Sequence, residues 1–215
     1  MNSLKLIRRK KNYPMKRYYK RRNRLAISRT LKNSDTLSVK VEYYTNVYVN
    51  LSGILTLGGS STDFVQILTV LNNSSSFTDL DGRYGRYKIN GIQMKFDSSL
   101  PIPNSNLSLL PQPVFAFYPG VTGSSLGAAP LYNDNKFGTS CTVTTPQIKY
   151  IAIPNNFYTA SAGGYGTWNT FNSYTSLNGQ ISVSGSTVLP APTTTHQIIG
   201  TLRITLYVTA SSKNA

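Results

Sequence analysis

Proton transfer and nucleophilic attack need titratable groups brought together, and these 215 residues hold one His, one Cys, six Asp and one Glu. His196 and Cys141 are the two side chains that could pair as base and nucleophile. The setting TSCTV, however, reads as a small buried thiol in a strand, and THQII sets the histidine just ahead of the last strand, so both read as structural. Asp79 and Asp81 in FTDLDGRYG stand two apart, as metal-loop acids do. The further carboxylates of such a loop are missing, and a turn or helix cap explains the pair better. LGGSS (57–61) lacks the Gly-Lys-Ser/Thr of a phosphate-binding loop, and GGYG (163–166) does not follow a strand in a βαβ unit. The chain is therefore expected to be no enzyme and to use no metal or cofactor.

The chemistry these residues do offer is electrostatic. Residues 8–24, RRKKNYPMKRYYKRRNR, carry ten bases and no acid: Arg8, Arg9, Lys10, Lys11, Lys16, Arg17, Lys20, Arg21, Arg22 and Arg24. Residues 1–34 hold 13 of the 22 Lys and Arg and none of the seven acids, which leaves nine bases and seven acids for residues 35–215. An arm of +13 thus precedes a body of +2. A segment so charged repels itself and has too few apolar residues to offset its ordering entropy, so it is expected to be disordered until a polyanion neutralises it.

Such an arm binds nucleic acid by releasing condensed counterions, a contribution blind to sequence and steeply weakened by salt. Arginine adds planar, bidentate phosphate contacts. Tyr13, Tyr18 and Tyr19, set among the bases, can stack on unpaired bases at about 1 to 3 kcal/mol each, which tilts the partner toward single strands. RRKK and KRYYKRRNR also read as nuclear-import signals, with host import factors as partners. A mitochondrial presequence fits less well, because Pro14 and the unspaced charge make a poor amphipathic helix.

The body is less explicit. Arg83, Arg86, Lys88 and Lys95 form a modest basic cluster, and Phe157, Tyr158, Tyr165, Trp168, Phe171 and Tyr174 make an aromatic-rich loop. Such a loop can stack bases or sugars, or be buried beneath itself or against a neighbouring subunit. A single cysteine excludes an internal disulfide and a cysteine-rich zinc site. MNSLKLIRRKK has no apolar stretch of signal-peptide length, and no uncharged apolar run approaches the roughly 18 residues of a membrane span. The expectation is a soluble chain that inserts in no membrane and is not secreted by the usual route. The Asn-X-Ser sequons at Asn50, Asn72, Asn73 and Asn106 then read as chance matches in an Asn/Ser-rich chain.

Positioning any of these residues falls to strands. From Asp35 onward the composition turns to Val, Ile, Thr, Tyr, Ser, Asn and Gly. TLSVKVEYYTNVYVNL (36–51) alternates, with Leu37, Val39, Val41 and Tyr43 on one side, a slip near Asn46, and Val47, Val49 and Leu51 resuming. DFVQILTVL (63–71) suits a strand or a short helix. YKINGIQMKFD (87–97) sets Ile92, Met94 and Phe96 against Gln93, Lys95 and Asp97. PVFAFYPG (113–120), QIKYIAIP (147–154) and NGQISVSG (178–185) are further strands. GTLRITLYVTA (200–210) points Leu202, Ile204, Leu206 and Val208 inward and Thr201, Arg203, Thr205 and Tyr207 outward. Seven or eight strands without a long helix mean a β-sandwich, jelly roll or barrel. Loops near 98–112, 120–136, 155–177 and 186–196 are long enough to be functional or interface-forming, and 120–136 and 155–177 are the expected exterior ones.

Three stretches carry a family resemblance: the arm directly ahead of a strand, FTDLDGRYGRYKINGIQMKF (77–96) and the closing GTLRITLYVTAS. Together they resemble the capsid proteins of small circular single-stranded DNA viruses, the circovirus-like and cyclovirus-like group. There a Tyr-Lys-Ile pattern leads into a long strand, here Tyr87, Lys88, Ile89, Ile92, Met94 and Phe96. The arm has more lysine than the circovirus type and the chain is slightly short, which leaves the genus open. The resemblance implies an all-β, eight-stranded viral jelly roll over 35–215 behind a disordered basic arm over 1–34. It also implies a T=1 shell of sixty copies, arms inside on the single-stranded DNA genome, a cell-surface receptor, and residence in the virion and, during assembly, the host nucleus. On that copy number the arms bring about 780 positive charges inward, a magnitude suited to packaging a short genome rather than reading one site. A satellite RNA virus coat protein and a non-viral β-barrel nucleic-acid-binding module with a basic tail are the alternatives.

Overall fold

The computed structural model describes residues 36–59, 62–99, 112–121, 123, 138–140, 147–155, 157–160, 163–171, 177–186 and 196–212. The described residues begin with β1 (Thr36–Val49), β2 (Leu55–Leu57) and β3 (Phe64–Gln66), followed by two short helices, α1 (Ile67–Asn72) and α2 (Ser75–Asp81). Then come β4 (Arg86–Ser98), β5 (Gln112–Pro119), β6 (Gly138–Ser140), β7 (Gln147–Ala152), β8 (Tyr158–Ala160), β9 (Gly163–Tyr165) and β10 (Asn169–Thr170). β11 (Gly179–Ser186) and β12 (Gln197–Ser211) close it.

Eight of these strands pair first with last. β1 lies beside β12, β3 beside β11, β4 beside β7 and β5 beside β6. A ribbon of such pairs rolls up when its edges meet, and they meet twice. β12 pairs antiparallel with β4, from Gly200 opposite Ser98 to Ser211 opposite Arg86, and β11 pairs antiparallel with β5. The result is two facing sheets, β1-β12-β4-β7 and β3-β11-β5-β6, which is the double-Greek-key jelly roll. β2 extends the first sheet beyond β1, and β10 shares an edge of β4 with β7.

The pleat decides what each strand buries, because side chains alternate between faces. On β12, Leu202, Ile204, Leu206, Val208 and Ala210 all go into the core, and Thr201, Arg203 and Tyr207 half-cover the outer face. Thr205, expected outside, is also buried. β1 keeps one phase throughout: the slip expected near Asn46 does not occur, since Thr45 takes the inward position between half-buried Tyr43 and buried Val47. Leu37 and Leu51, expected to share that side, are exposed.

The phase change belongs to β4 instead. Tyr207 faces Gly91 while Val208 faces Ile89, so Asn90 has no opposite residue. This bulge moves burial from Tyr87 and Ile89 to Ile92, Met94 and Phe96 on the same face. The two sheets meet where Phe96 on β4 packs against Phe115 on β5, ring centroids 5.4 Å apart. β5 is buried on both sides: Phe115 and Phe117 join the main core, and Val114 and Ala116 form a second cluster with Tyr118.

The ambiguous 63–71 run is both of its alternatives, β3 followed by α1, which buries Ile67, Val70 and Leu71. α2 occupies the stretch read as a turn. Ser74 caps it, accepting from the Phe77 amide at 3.3 Å, and Phe77 and Leu80 face the core. Asp79 and Asp81 are therefore exposed residues inside the helix rather than its cap. Much of the 155–177 loop is also structured, as the β8·β9 ribbon and β10.

Candidate nucleic-acid interface

The arm positions Arg8, Arg9, Lys10, Lys11, Lys16, Arg17, Lys20, Arg21, Arg22 and Arg24, with Tyr13, Tyr18 and Tyr19, lie outside the described residues, as do Cys141 and Tyr174. What the structure does place is the outer face of the six-stranded sheet, where the body's bases and several aromatic rings come together.

The four bases grouped by sequence have different fates. Lys95 and Asp97 sit two apart on β4, hence on one face, and form an ion pair at 2.7 Å. Arg83 is exposed beyond α2. Arg86 and Lys88, two apart at the start of β4, have no carboxylate partner among the described residues. Lys88 instead donates to Asn155 Oδ1 at 2.8 Å, and Arg86 Nε is buried without a hydrogen bond among the described residues.

Their neighbour is Trp168. β10 pairs antiparallel with β4, Asn169 opposite Tyr87 and Thr170 opposite Arg86. Extending that register by one residue sets Trp168 beside Lys88. The Arg86 guanidinium carbon lies 5.0 Å and the Lys88 ammonium 5.7 Å from the indole ring centroid. Trp168 stays 42% exposed.

Local chemistry fixes this position. Gly166 turns the chain at φ 75°, and a Cβ there would run into the carbonyl of Pro154. Asn169, itself buried, accepts from the Gly164 amide at 2.9 Å and donates to the Gly164 and Thr167 carbonyls at 2.8 and 3.2 Å. The tryptophan is thus held between a constrained turn and a side-chain clamp.

The aromatic-rich loop consequently splits. Phe171 is buried against Phe77 and Tyr87, with centroids 5.2 and 5.1 Å away, and Tyr165 meets Phe117 edge-on at 5.1 Å. Phe157 is half-buried against the core. Of the residues named in that loop whose side chains are described, Trp168 alone is exposed.

Across β12 the same outer face carries a second aromatic group. Tyr207 meets Tyr150 edge-on at 5.4 Å, receives Lys40 at 5.6 Å from its centroid and donates to Gln93 at 3.2 Å. Tyr44 donates to Glu42 at 2.9 Å, and its hydrogen bond to Arg203 is the main reason that guanidinium's pKa is raised above its ordinary value. The sequence placed Tyr207 and Arg203 outward but gave no sign of these partners.

His196 is exposed at the start of β12, GGYG forms β9 and its following turn, and Gly58 and Gly59 turn the chain after β2. No group of three or more His, Cys, Asp or Glu able to hold a metal occurs among the described residues. No described helix is long and apolar enough to cross a membrane. The hollow between α1 and α2, lined by Leu71, Asn72, Phe77, Thr78 and Asp81, measures ≈ 60 Å³, well short of the roughly 300 Å³ at which ligand pockets begin.

No protein-family model and no curated protein sequence matches the chain. Solved structures do match its fold. The mud crab tombus-like virus structure aligns at TM-score 0.50 and 11% identity, covering 84% of this chain and 82% of the other. Cocksfoot mottle virus aligns at TM-score 0.50 and 9% identity, covering 84% and 97%. The decameric BFDV capsid protein aligns at 12% identity over 81% and 99%, but its TM-score of 0.46 is too low to carry weight. The chain is an all-β jelly roll with the fold of viral capsid shells.

Proposed function

We propose that this chain is a viral coat subunit whose jelly-roll body self-assembles into a shell and whose basic arm packages a single-stranded genome without sequence specificity. The observation that carries the reading is the segregation of charge on this roll. Thirteen of 22 bases precede β1 with no acid among them, and the body behind them is nearly neutral. A nearly neutral body lets copies approach one another, and concentrated arm charge gathers phosphate in bulk. The likeness to viral shells supports the same reading at the level of fold.

The finer assignment is a circovirus-like or cyclovirus-like coat: a T=1 shell of sixty copies, single-stranded DNA as cargo, and an arm that also engages nuclear-import factors. It rests on the sequence resemblance at the arm, at Tyr87–Phe96 and at the last strand. Residues 1–34 are the arm and 35–215 the shell domain. A receptor is bound through exposed parts of that domain.

The test is a salt titration of single-stranded oligonucleotide binding by dilute full-length subunit and by a variant lacking residues 1–34. Thirteen engaged charges predict a slope of log affinity on log salt of about −9 for the full chain, and a far shallower one for the variant. Equal slopes would overturn the arm's role. DNA and RNA oligomers compared in parallel, with nuclease digestion of the natural cargo, identify the strand.

A further inference from the structure

We propose that Arg86, Lys88 and Trp168 form a second nucleic-acid contact, on the body itself, in which an unpaired base stacks on the indole while its phosphate is held by the two cations. The inference rests on the reading that the chain binds single-stranded nucleic acid, and adds to the arm's tyrosines a base-stacking site on the folded body.

Three independent observations converge here. The first is charge. Arg86 and Lys88 stand two apart on one face of β4, neither with a carboxylate among the described residues, whereas Lys95 on the same strand is neutralised by Asp97. Over residues 35–215 nine bases stand against seven acids, so two adjacent cations without a carboxylate among the described residues are a local excess. The second is exposure. Trp168, left 42% exposed, forfeits burial that Phe171 and Tyr165 in the same segment obtain almost in full. The third is rigidity. The Gly166 turn, the Asn169 clamp and the β10·β4 pairing fix the ring before any ligand arrives, so little conformational freedom remains to be lost on binding.

Cations above an indole also occur as surface packing, and such contacts need no ligand. A stacking platform differs in being sequence-tolerant but base-dependent, since every base has a π-face and an abasic sugar has none. The aromatic ring and the bases are separated by some eighty residues of sequence and are joined only by strand pairing.

Trp168 is the chain's one tryptophan, so its fluorescence reports this site alone when excited beyond the absorption of tyrosine. Full-length protein is titrated with an oligothymidylate and with an abasic oligomer of equal phosphate number, each carrying a label whose anisotropy reports total binding. The expected result is binding of both oligomers, with tryptophan quenching by the thymidylate and little by the abasic strand. The two should differ by roughly 5- to 150-fold in affinity at this site. R86A/K88A should keep arm-driven binding, lose the differential quenching and flatten the salt slope by about 1.4. Binding by anisotropy without differential quenching overturns the stacking site and leaves the packaging reading standing. Absence of binding by either oligomer overturns the packaging reading itself.

Discussion

Gly166 shows how a single backbone atom sets the geometry of the exposed ring. At φ 75° an L side chain is strained by about 1 to 2 kcal/mol, and here a Cβ would also collide with the Pro154 carbonyl. Gly166→Ala should therefore cost at least about 2 kcal/mol in denaturant unfolding and shift the Trp168 emission, whereas alanine at Gly59, where nothing lies within 4 Å of an added Cβ, should change stability by less than about 0.5 kcal/mol. Little of this was legible in the sequence. GGYG read as a loop and the six aromatic residues near it as one group, because the sequence does not say which rings find a partner. Phe171 and Tyr165 meet Phe77, Tyr87 and Phe117 from distant elements, and only those contacts distinguish them from Trp168. The basic positions were legible; their division into a Lys95 neutralised by Asp97 and an Arg86 and Lys88 without a carboxylate among the described residues was not.

The inward row of the strand with the cleanest period of two was read correctly, though Thr205 on its outer row proved buried, and features that depend on a partner strand were not read. β12 owes its inward row of Leu202, Ile204, Leu206 and Val208 to simple alternation, which the sequence displays. The bulge at Asn90 is visible only as an offset between two runs, and the sequence reading placed an irregularity on β1 instead. Deleting Asn90 should put Tyr87 and Ile89 out of phase with the core and abolish the cooperative unfolding transition. Asn90→Ser, which keeps the residue count and replaces the amide that donates to Thr209 Oγ1 with a hydroxyl, should remain folded by near-UV circular dichroism. α2 offers a milder case. Its seven residues are too few to be stable alone, so it relies on Phe77 and Leu80 in the core and on the Ser74 cap. Ser74→Ala should lower stability by about 1 kcal/mol, read as a shift in denaturant midpoint at unchanged slope.

At the scale of the molecule, the roll is the consequence of pairing first strand with last, and β12 in the middle of the sheet depends on contacts with β4 more than a hundred residues away. Fold class followed from strand composition and the lack of a long helix, but the order of strands did not, because short edge elements such as β6 and β10 carry no period of their own. Charge was legible outright, since it needs no folding to be counted. Residues 1–34 carry +13 and residues 35–215 are nearly neutral, the contrast on which the proposed division of labour rests. Removing residues 1–34 should leave the jelly roll intact by far-UV circular dichroism and thermal melting, while purified material loses its nucleic acid. The most direct measurement is negative-stain electron microscopy of purified full-length protein beside the variant lacking residues 1–34, with the ratio of nucleic-acid to protein absorbance taken on each fraction. Uniform spherical particles, rich in nucleic acid with the arm and poor in it without, are the predicted result; a small oligomer at every salt concentration, or particles equally rich in nucleic acid without the arm, would contradict the account.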